Sequence, residues 1–131
     1  DHGWLCNSKS VLVGHSSGAV AILHLLQSLA EGEKVDTVVL VGAFKDNLNR
    51  PELSRLFAKV LDFESICQKA RRFVLIHSDN DPYCPLAHAE YLAHELRGEL
   101  IVIPGEAHFS ISTAGEKYRE FPELLEILFP A

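Results

Sequence analysis

Four short apolar runs, separated by longer stretches of mixed polarity, dominate the pattern of this 131-residue sequence. The runs are rich in Val, Leu and Ile, and they occupy residues 10–14, 37–42, 73–78 and 100–103. Short runs that are apolar at nearly every position are typical of strands that are buried on both faces of a parallel sheet. We therefore expect a mostly parallel sheet of about four strands.

The stretches between these runs predict helices. A helix at residues 17–30 would carry apolar side chains on nearly all of its sides, so the rest of the protein should largely cover it. The helix that precedes Gly98 should end on that glycine. Strands that alternate with helices indicate an α/β fold, here a single three-layer α/β/α domain over residues 1–131. Helices after the first are expected at about 51–60, 63–70, 85–96 and 117–129, and in the last of these Pro122 either lies early in the helix or marks a restart.

The same pattern predicts where functional side chains should lie. Right-handed crossovers between parallel strands bring the carboxyl ends of all strands to one edge of the sheet, where ligands of open α/β sheets bind. Functional residues are therefore expected just after residues 14, 42, 78 and 103.

The charge balance argues against a nucleic-acid partner. The chain has 12 Lys and Arg against 18 Asp and Glu, a net charge of −6, and its longest basic block is Arg71-Arg72. A nucleic-acid-binding face needs clustered basic residues. Polar residues at 15–17 interrupt the longest apolar segment, so no membrane-spanning segment is expected. No signal peptide is recognisable.

Cysteine usage favours a reducing compartment. An odd number of cysteines without C-x-x-C spacing indicates free thiols instead of disulfides or zinc ligands, and hence a cytoplasmic protein. The three are Cys6, Cys67 and Cys84. The sequence contains no Met and begins at Asp1, which suggests a processed chain or a portion of a longer one.

The first strand end carries a motif that is typical of a nucleophile. Residues Gly14-His15-Ser16-Ser17-Gly18 satisfy G-x-S-x-G at a predicted strand-to-helix turn. The central serine of such a turn takes a strained backbone conformation, and the glycines let strand and helix approach closely. Ser16 would be the nucleophile, and the Ser17 N–H would point at a developing oxyanion. An ordinary glycine-lined turn is the alternative.

Two further strand ends carry acids and a histidine. Asp79 and Asp81 follow the third strand, and His108 follows the fourth. Each could be structural, the acids as turn caps and the histidine as a loop residue. A serine, an acid and a histidine in this order are, however, the order of α/β-hydrolase triads. The residues alone leave either aspartate as the acid. His77, at the end of the third strand, is a further candidate for substrate contact.

Three segments carry a family resemblance: Gly-His-Ser-Ser-Gly-Ala, Asp-Pro-Tyr-Cys-Pro and Gly-Glu-Ala-His-Phe, at 14–19, 81–85 and 105–109. Together they resemble the small serine hydrolases of the retinoblastoma-binding protein nine type, within the α/β-hydrolase superfamily. The acid loop of that superfamily commonly reads Asp-x-x-Val-Pro, a register that favours Asp81 over Asp79. The resemblance extends over about residues 10–130.

The resemblance implies a role for each matching residue. Ser16 is the nucleophile, Asp81 the acid that orients the histidine, and His108 the general base. Because His15 adjoins the nucleophile along the backbone, it is expected to support the site and not to act as the base. The candidates for oxyanion or substrate binding are Ser17, His15 and Phe109.

The resemblance also implies that an N-terminal part of the fold is missing. Such hydrolases carry about another half-sheet before the nucleophile strand, including the loop that donates the second oxyanion N–H. Here residues 1–9 are all that precede that strand. The strand at 10–14 would then present an unpaired apolar edge, which is an aggregation hazard. A missing segment, a second copy in a homodimer or a partner chain would cover it.

These observations predict a serine hydrolase that cleaves a small carboxylic ester, thioester or amide through an acyl-enzyme, with no cofactor or metal. The short segment at 45–70 leaves little room for a large lid, which favours a small or exposed substrate. A non-catalytic hydrolase-fold module for protein interaction is one alternative. A metal-dependent hydrolase is another, and its ligands would be His15, Asp79, Asp81 and His108.

Overall fold

A four-stranded sheet forms the centre of the computed structural model, which describes residues 6–129. Every neighbouring pair of strands is parallel, and the spatial order is the chain order, β1-β2-β3-β4. The predicted α/β fold with four parallel strands is confirmed. The strands are β1 Val11–His15, β2 Val35–Val41, β3 Ala70–His77 and β4 Glu99–Val102.

Five α-helices and two 3-10 helices connect and cover the strands in the described part of the chain. The 3-10 helices are Pro51–Phe57 and Glu116–Arg119. No helix within residues 6–129 is long and apolar enough to cross a membrane. The α-helices are α1 Ser17–Ser28, α2 Phe63–Ile66, α3 Leu86–Leu96, α4 Ile111–Ala114 and α5 Pro122–Leu128.

Two predicted helices differ from the structure, and a third is interrupted before its proline. The helix expected at 51–60 is a 3-10 helix that ends at Phe57. The helix expected at 63–70 is the single turn α2, because β3 already begins at Ala70 and pairs there with β2. The helix expected at 117–129 restarts at Pro122, which is one of the two arrangements that the sequence predicts, because a proline lacks the N–H that a continuous helix would need but is tolerated at the first position of a new one.

Gly98 has a different role from the predicted one. The residue that leaves α3 in the left-handed conformation is Arg97, with φ 54° and ψ 40°. A Cβ on Gly98 would lie 2.9 Å from Leu75 Cδ1 and 3.0 Å from Phe73 Cβ. Gly98 is therefore required by close packing against β3, and not by a left-handed helix end.

Side chains of β2 and β3 alternate between two apolar layers, which gives the predicted three-layer arrangement. One layer packs against α1, α2 and α3, and it includes Leu23, Val38, Ile66, Leu75 and Leu92. The other packs against the C-terminal helices, and it includes Val39, Val74, Ile76, Phe109 and Phe121. All three crossovers lie on the same face because the strand order never reverses.

The strand β1 lies at the edge of the sheet formed by the described residues. Val11 and Val13 are 42% and 44% exposed, so the prediction of a fully buried strand is wrong for β1, whereas the expectation of an apolar edge at 10–14 agrees with the structure. Helix α1 is likewise covered on one side only, where Ala19, Val20 and Leu23 are buried. β2 has the continuous burial that the sequence pattern predicts.

Candidate active site

Ser16 lies in a strained turn between β1 and α1. Its φ is 57° and its ψ is −121°, and its N–H donates to the Val41 carbonyl at 2.8 Å. Such a backbone conformation costs on the order of 1–3 kcal/mol in a residue other than glycine, and it is found at functional sites. Pairing with the end of β2 holds the serine in this conformation, as the G-x-S-x-G prediction requires.

The two glycines of the motif differ in what they do. A Cβ on Gly14 would lie 2.7 Å from the Gly18 carbonyl oxygen and 2.7 Å from Ile22 Cδ1. A Cβ on Gly18 would meet nothing within 4 Å. Close approach of strand and helix therefore requires a glycine at residue 14, whereas residue 18 has room for a side chain.

Side chains of the acidic loop hold the histidine loop in place. Asp79 Oδ1 accepts a hydrogen bond from the Gly105 N–H at 2.9 Å, and Asn80 Oδ1 accepts one from the Ala107 N–H at 2.9 Å. The buried Ser78 hydroxyl donates to the Ala107 carbonyl. The loops after β3 and β4 are thus joined immediately before His108.

The imidazole of His108 connects a serine and an aspartate. Its Nδ1–H donates to Asp81 Oδ2 at 2.6 Å, and its Nε2 lies 2.9 Å from Ser16 Oγ, from which it can accept a hydrogen bond. The three side chains come from loops at the carboxyl ends of β1, β3 and β4. A serine nucleophile needs this geometry: a base in reach of the hydroxyl, oriented by a third group.

Asp81, and not Asp79, contacts the histidine. The Asp81 side chain is 0% exposed, and its Oδ1 accepts hydrogen bonds from the N–H groups of Tyr83 and Cys84 at 2.8 and 2.9 Å. Burial raises the pKa of Asp81, but the bond from His108 and the two backbone bonds outweigh it, so the pKa lies below its usual value. Asp81 is therefore ionised at neutral pH.

Gly42 supports the other side of the imidazole. It follows β2 with a φ of 59°, and a Cβ there would lie 3.1 Å from His108 Cε1 and 3.2 Å from Nδ1. The same Cβ would lie 3.7 Å from Asp81 Oδ2. The strand pattern predicts a functional position just after residue 42, yet no motif identifies this glycine.

The three residues predicted to bind the oxyanion or substrate occupy different surroundings. Ser17 begins α1, where helical N–H groups have no partner within the helix. His15 donates through Nε2–H to the His108 carbonyl at 2.6 Å, and so supports the loop, as predicted for it. The Phe109 ring packs against Tyr118 and Phe121, and this position does not support its predicted role in substrate binding.

A cavity of about 250 Å³ opens beside Ser16. The Tyr83 ring borders it and meets the His108 ring edge to face, with the centroids 5.2 Å apart. A larger cleft of about 440 Å³ adjoins α2 and contains neither Ser16 nor His108. The smaller cavity is lined by Ser16, Ser17, Phe44, Leu48, Arg50, Leu53, Tyr83, Cys84 and His108.

His77 is a support for the acidic loop. The prediction of substrate contact is wrong, because its side chain is fully buried. Its Nε2–H donates to the Cys84 carbonyl at 2.7 Å and lies 3.9 Å from Asp81 Oδ2. The sequence could not reveal this role, because the role depends on how the loop after residue 81 folds back and brings the Cys84 carbonyl to His77.

The structure does not bring together the four residues of the alternative metal site, since Asp79 is directed at the Gly105 N–H. Among the described residues, the cluster with ligand atoms within 4.8 Å of one another is Asp81, Cys84 and His108. Burial, followed by the negative charge of Asp81, raises the pKa of the Cys84 thiol to about 12. Within this cluster, Asp81 Oδ2 and His108 Nδ1 already bond to each other.

The fold and this hydrogen-bonded set of side chains define an α/β-hydrolase-like protein with a serine, a histidine and an aspartate in contact. A family model described as serine hydrolase matches residues 4–129, and the chain belongs to that family.

Individual relatives agree with this assignment. The chain is 26% identical over 125 residues to Serine hydrolase RBBP9 of Rattus norvegicus, covering 94% of this chain and 61% of that protein. It is 24% identical over 123 residues to Putative hydrolase YdeN of Bacillus subtilis, covering 93% and 63%. This chain therefore spans less than two thirds of the length of either relative.

Solved structures share the fold. The ydeN gene product of B. subtilis superposes with a TM-score of 0.83 at 25% identity, over 94% of this chain and 65% of that one. The esterase domain of a Rhodothermus marinus protein superposes with a TM-score of 0.62 at 22% identity, over 90% and 58%.

The contact between Gly42 and the imidazole predicts a selective effect of Gly42→Ala. The added Cβ should displace His108 and slow the reaction of Ser16 with a fluorophosphonate about tenfold or more, because misplacement of a base strongly reduces rate. Intact-mass spectrometry over time measures that rate.

The matched control is Gly32→Ala. Gly32 also has a positive φ, 89°, but a Cβ there meets nothing within 4 Å. Each variant should lose about 1–2 kcal/mol of unfolding free energy from the left-handed backbone. Equal labelling rates for the two variants would contradict the role of Gly42.

Proposed function

We propose that this chain carries the catalytic residues of a serine hydrolase that cleaves a small carboxylic ester, thioester or amide. The observation that supports this proposal is the continuous hydrogen-bonded path from Ser16 Oγ through the His108 ring to the buried carboxylate of Asp81. A histidine with a purely structural role does not need a serine hydroxyl on one ring nitrogen and a carboxylate on the other. A histidine that activates a serine as its general base needs both.

In the first half of the reaction, Ser16 Oγ attacks the carbonyl carbon of the substrate while His108 Nε2 accepts the hydroxyl proton. The tetrahedral intermediate then collapses, the bond to the leaving group breaks, and His108 returns the proton to the leaving group. In the second half, His108 deprotonates a water that attacks the acyl-enzyme, and the proton returns to Ser16 Oγ as the acid leaves.

Asp81 and Ser17 stabilise charge during these steps. Asp81 accepts the Nδ1–H bond, fixes the tautomer of His108 and stabilises the imidazolium without itself becoming protonated. The Ser17 N–H, at the start of α1, donates to the oxyanion of the tetrahedral intermediate. The positive end of the α1 dipole favours the same negative charge.

The proposal includes a small substrate and a cytoplasmic setting. The cavity volume of about 250 Å³ lies below the range of about 300–1,000 Å³ usual for drug-sized ligands.

The thiols of Cys6, Cys67 and Cys84 are all free, which fits a reducing compartment. We treat residues 1–131 as one hydrolase-like domain.

Labelling with a fluorophosphonate tests the proposal. The parent chain should gain one adduct by intact mass, and neither Ser16→Ala nor His108→Ala should label at a comparable rate. Asp81→Asn should slow labelling by up to about 10⁴-fold, because the amide no longer holds the catalytic tautomer.

The matched control for the acid is Asp79→Asn. Its amide oxygen can still accept the Gly105 N–H, and residue 79 does not touch His108, so labelling should stay close to the parent rate. A folded parent chain without an adduct would contradict the proposal and favour the non-catalytic interaction module. Equal losses in the two Asn variants would contradict the assignment of Asp81.

We also propose that β1 pairs edge to edge with β1 of a second copy. Ser10 and Ser16 use their backbone groups toward β2, so the alternating residues Val11 and Val13 direct theirs toward the opposite edge, where no strand of residues 6–129 pairs with β1. An edge of unpaired backbone groups with exposed apolar side chains is a template for strand pairing.

Light scattering after size-exclusion chromatography tests this pairing. The parent chain should have twice the mass of one chain, and Val13→Lys, which places a charge on that edge, should have the mass of one chain. Circular dichroism checks that the variant remains folded. A parent chain with the mass of a monomer at all concentrations would contradict the proposal.

A further inference from the structure

The cavity beside Ser16 combines an apolar wall with one cation. Phe44, Leu48 and Leu53 form the wall, and Arg50 is the charged residue among the described residues that line it, apart from any charge on His108. Because the chain as a whole has a net charge of −6, this cation contrasts with the overall charge of the protein.

Arg50 is placed against the same aromatic ring that borders the catalytic imidazole. Its guanidinium carbon lies 5.7 Å from the centroid of the Tyr83 ring, and that ring meets His108 edge to face. Stacking on an aromatic ring leaves the planar edge of a guanidinium free to donate hydrogen bonds. The Arg50 guanidinium and the His108 imidazole therefore both contact the Tyr83 ring.

The backbone before Arg50 is held in an unusual conformation. Leu48 and Asn49 both have a positive φ, 55° and 58°, which is costly in residues other than glycine. The N–H groups of these two residues donate to the side chains of Asp46 and Asn47 at 2.9 and 3.0 Å. This double left-handed turn leads directly into the residues that line the cavity.

The ion pair between Arg50 and Glu52 does not prevent the Arg50 guanidinium from binding a ligand. Glu52 Oε1 lies 3.3 Å from Arg50 Nε, but the two side chains are 51% and 65% exposed. Exposed ion pairs of this kind are weak. A carboxylate that enters the cavity can accept two parallel hydrogen bonds from the guanidinium, the geometry that arginine favours.

We propose that Arg50 is a specificity-determining residue, and that the site takes substrates whose acyl group ends in a carboxylate. The chain of the acyl group would lie along Phe44, Leu48 and Leu53, with its carbonyl at Ser16 and its carboxylate at Arg50. This inference rests on the proposed serine hydrolase function and names its substrate class.

The test compares two substrates that differ in one charge: mono-p-nitrophenyl adipate and its methyl ester. The parent chain should prefer the adipate, measured as kcat/KM after subtraction of the uncatalysed rate. Arg50→Gln should lower the ratio of kcat/KM for the adipate to kcat/KM for the methyl ester about tenfold, since a charge-assisted hydrogen bond to the carboxylate is lost.

Two further variants serve as controls. Arg55→Gln removes the same charge from an exposed position on the 3-10 helix Pro51–Phe57, which follows Arg50, outside the cavity lining, and it should keep the parent preference. Glu52→Gln removes the competing carboxylate, and it should increase the preference for the adipate. Added salt should reduce the preference in the parent chain.

The outcomes separate this inference from the function on which it rests. If fluorophosphonate labels Ser16 and the methyl ester is hydrolysed, but Arg50→Gln leaves the ratio of the two substrates unchanged, the Arg50 inference is overturned and the hydrolase function stands. If the folded chain neither labels nor hydrolyses either ester, both proposals fall.

Discussion

The hydrogen bond between His108 Nδ1 and Asp81 Oδ2 is the contact on which the site depends. It joins side chains 27 residues apart, and the other nitrogen of the same ring meets Ser16, 92 residues away in the sequence. The carboxylate is fully buried and has two backbone donors as well as the imidazole, so it is fixed in position before any substrate arrives. Loss of this bond would leave a buried charge with fewer partners and a His108 imidazole with no fixed tautomer.

The sheet provides the rigidity that this contact needs. Ser16, Ala107 and Phe109 all have a positive φ, and each conformation is unfavourable by itself. Pairing of the Ser16 N–H with β2 and of the Ala107 N–H with Asn80 stabilises two of them. Phe109 is held by its ring, which packs against Phe121 with the centroids 5.7 Å apart. The strained residues are thus at the site, and the interactions that hold them come from the core and the neighbouring loop.

Much of this arrangement could be predicted from the sequence because it depends on strand ends. The apolar runs located all four strands, and the motifs after β1, β3 and β4 identified the residues that meet. The roles of Gly42 and His77 could not be predicted, since each depends on which atoms of a later loop fold back to lie against that residue. His108 lies against Gly42, and the Cys84 carbonyl lies against His77. The 3-10 helix at 51–57 was also missed, because apolar composition does not distinguish a 3-10 helix from an α-helix. For β1 the apolar pattern alone predicted a buried strand, whereas the family resemblance indicated that this strand lies at an edge of the sheet.

The most direct test of the central claim is the proton NMR signal of the His108 Nδ1–H. In a chain with ¹⁵N-labelled histidine, which has 7 such residues to assign, we expect a far-downfield proton coupled to the Nδ1 nitrogen of His108. That signal should persist in Asp79→Asn and disappear in Asp81→Asn. A His108 ring whose Nδ1–H exchanges freely with water in the folded parent chain, with no downfield signal, would contradict the claim that Asp81 orients the base.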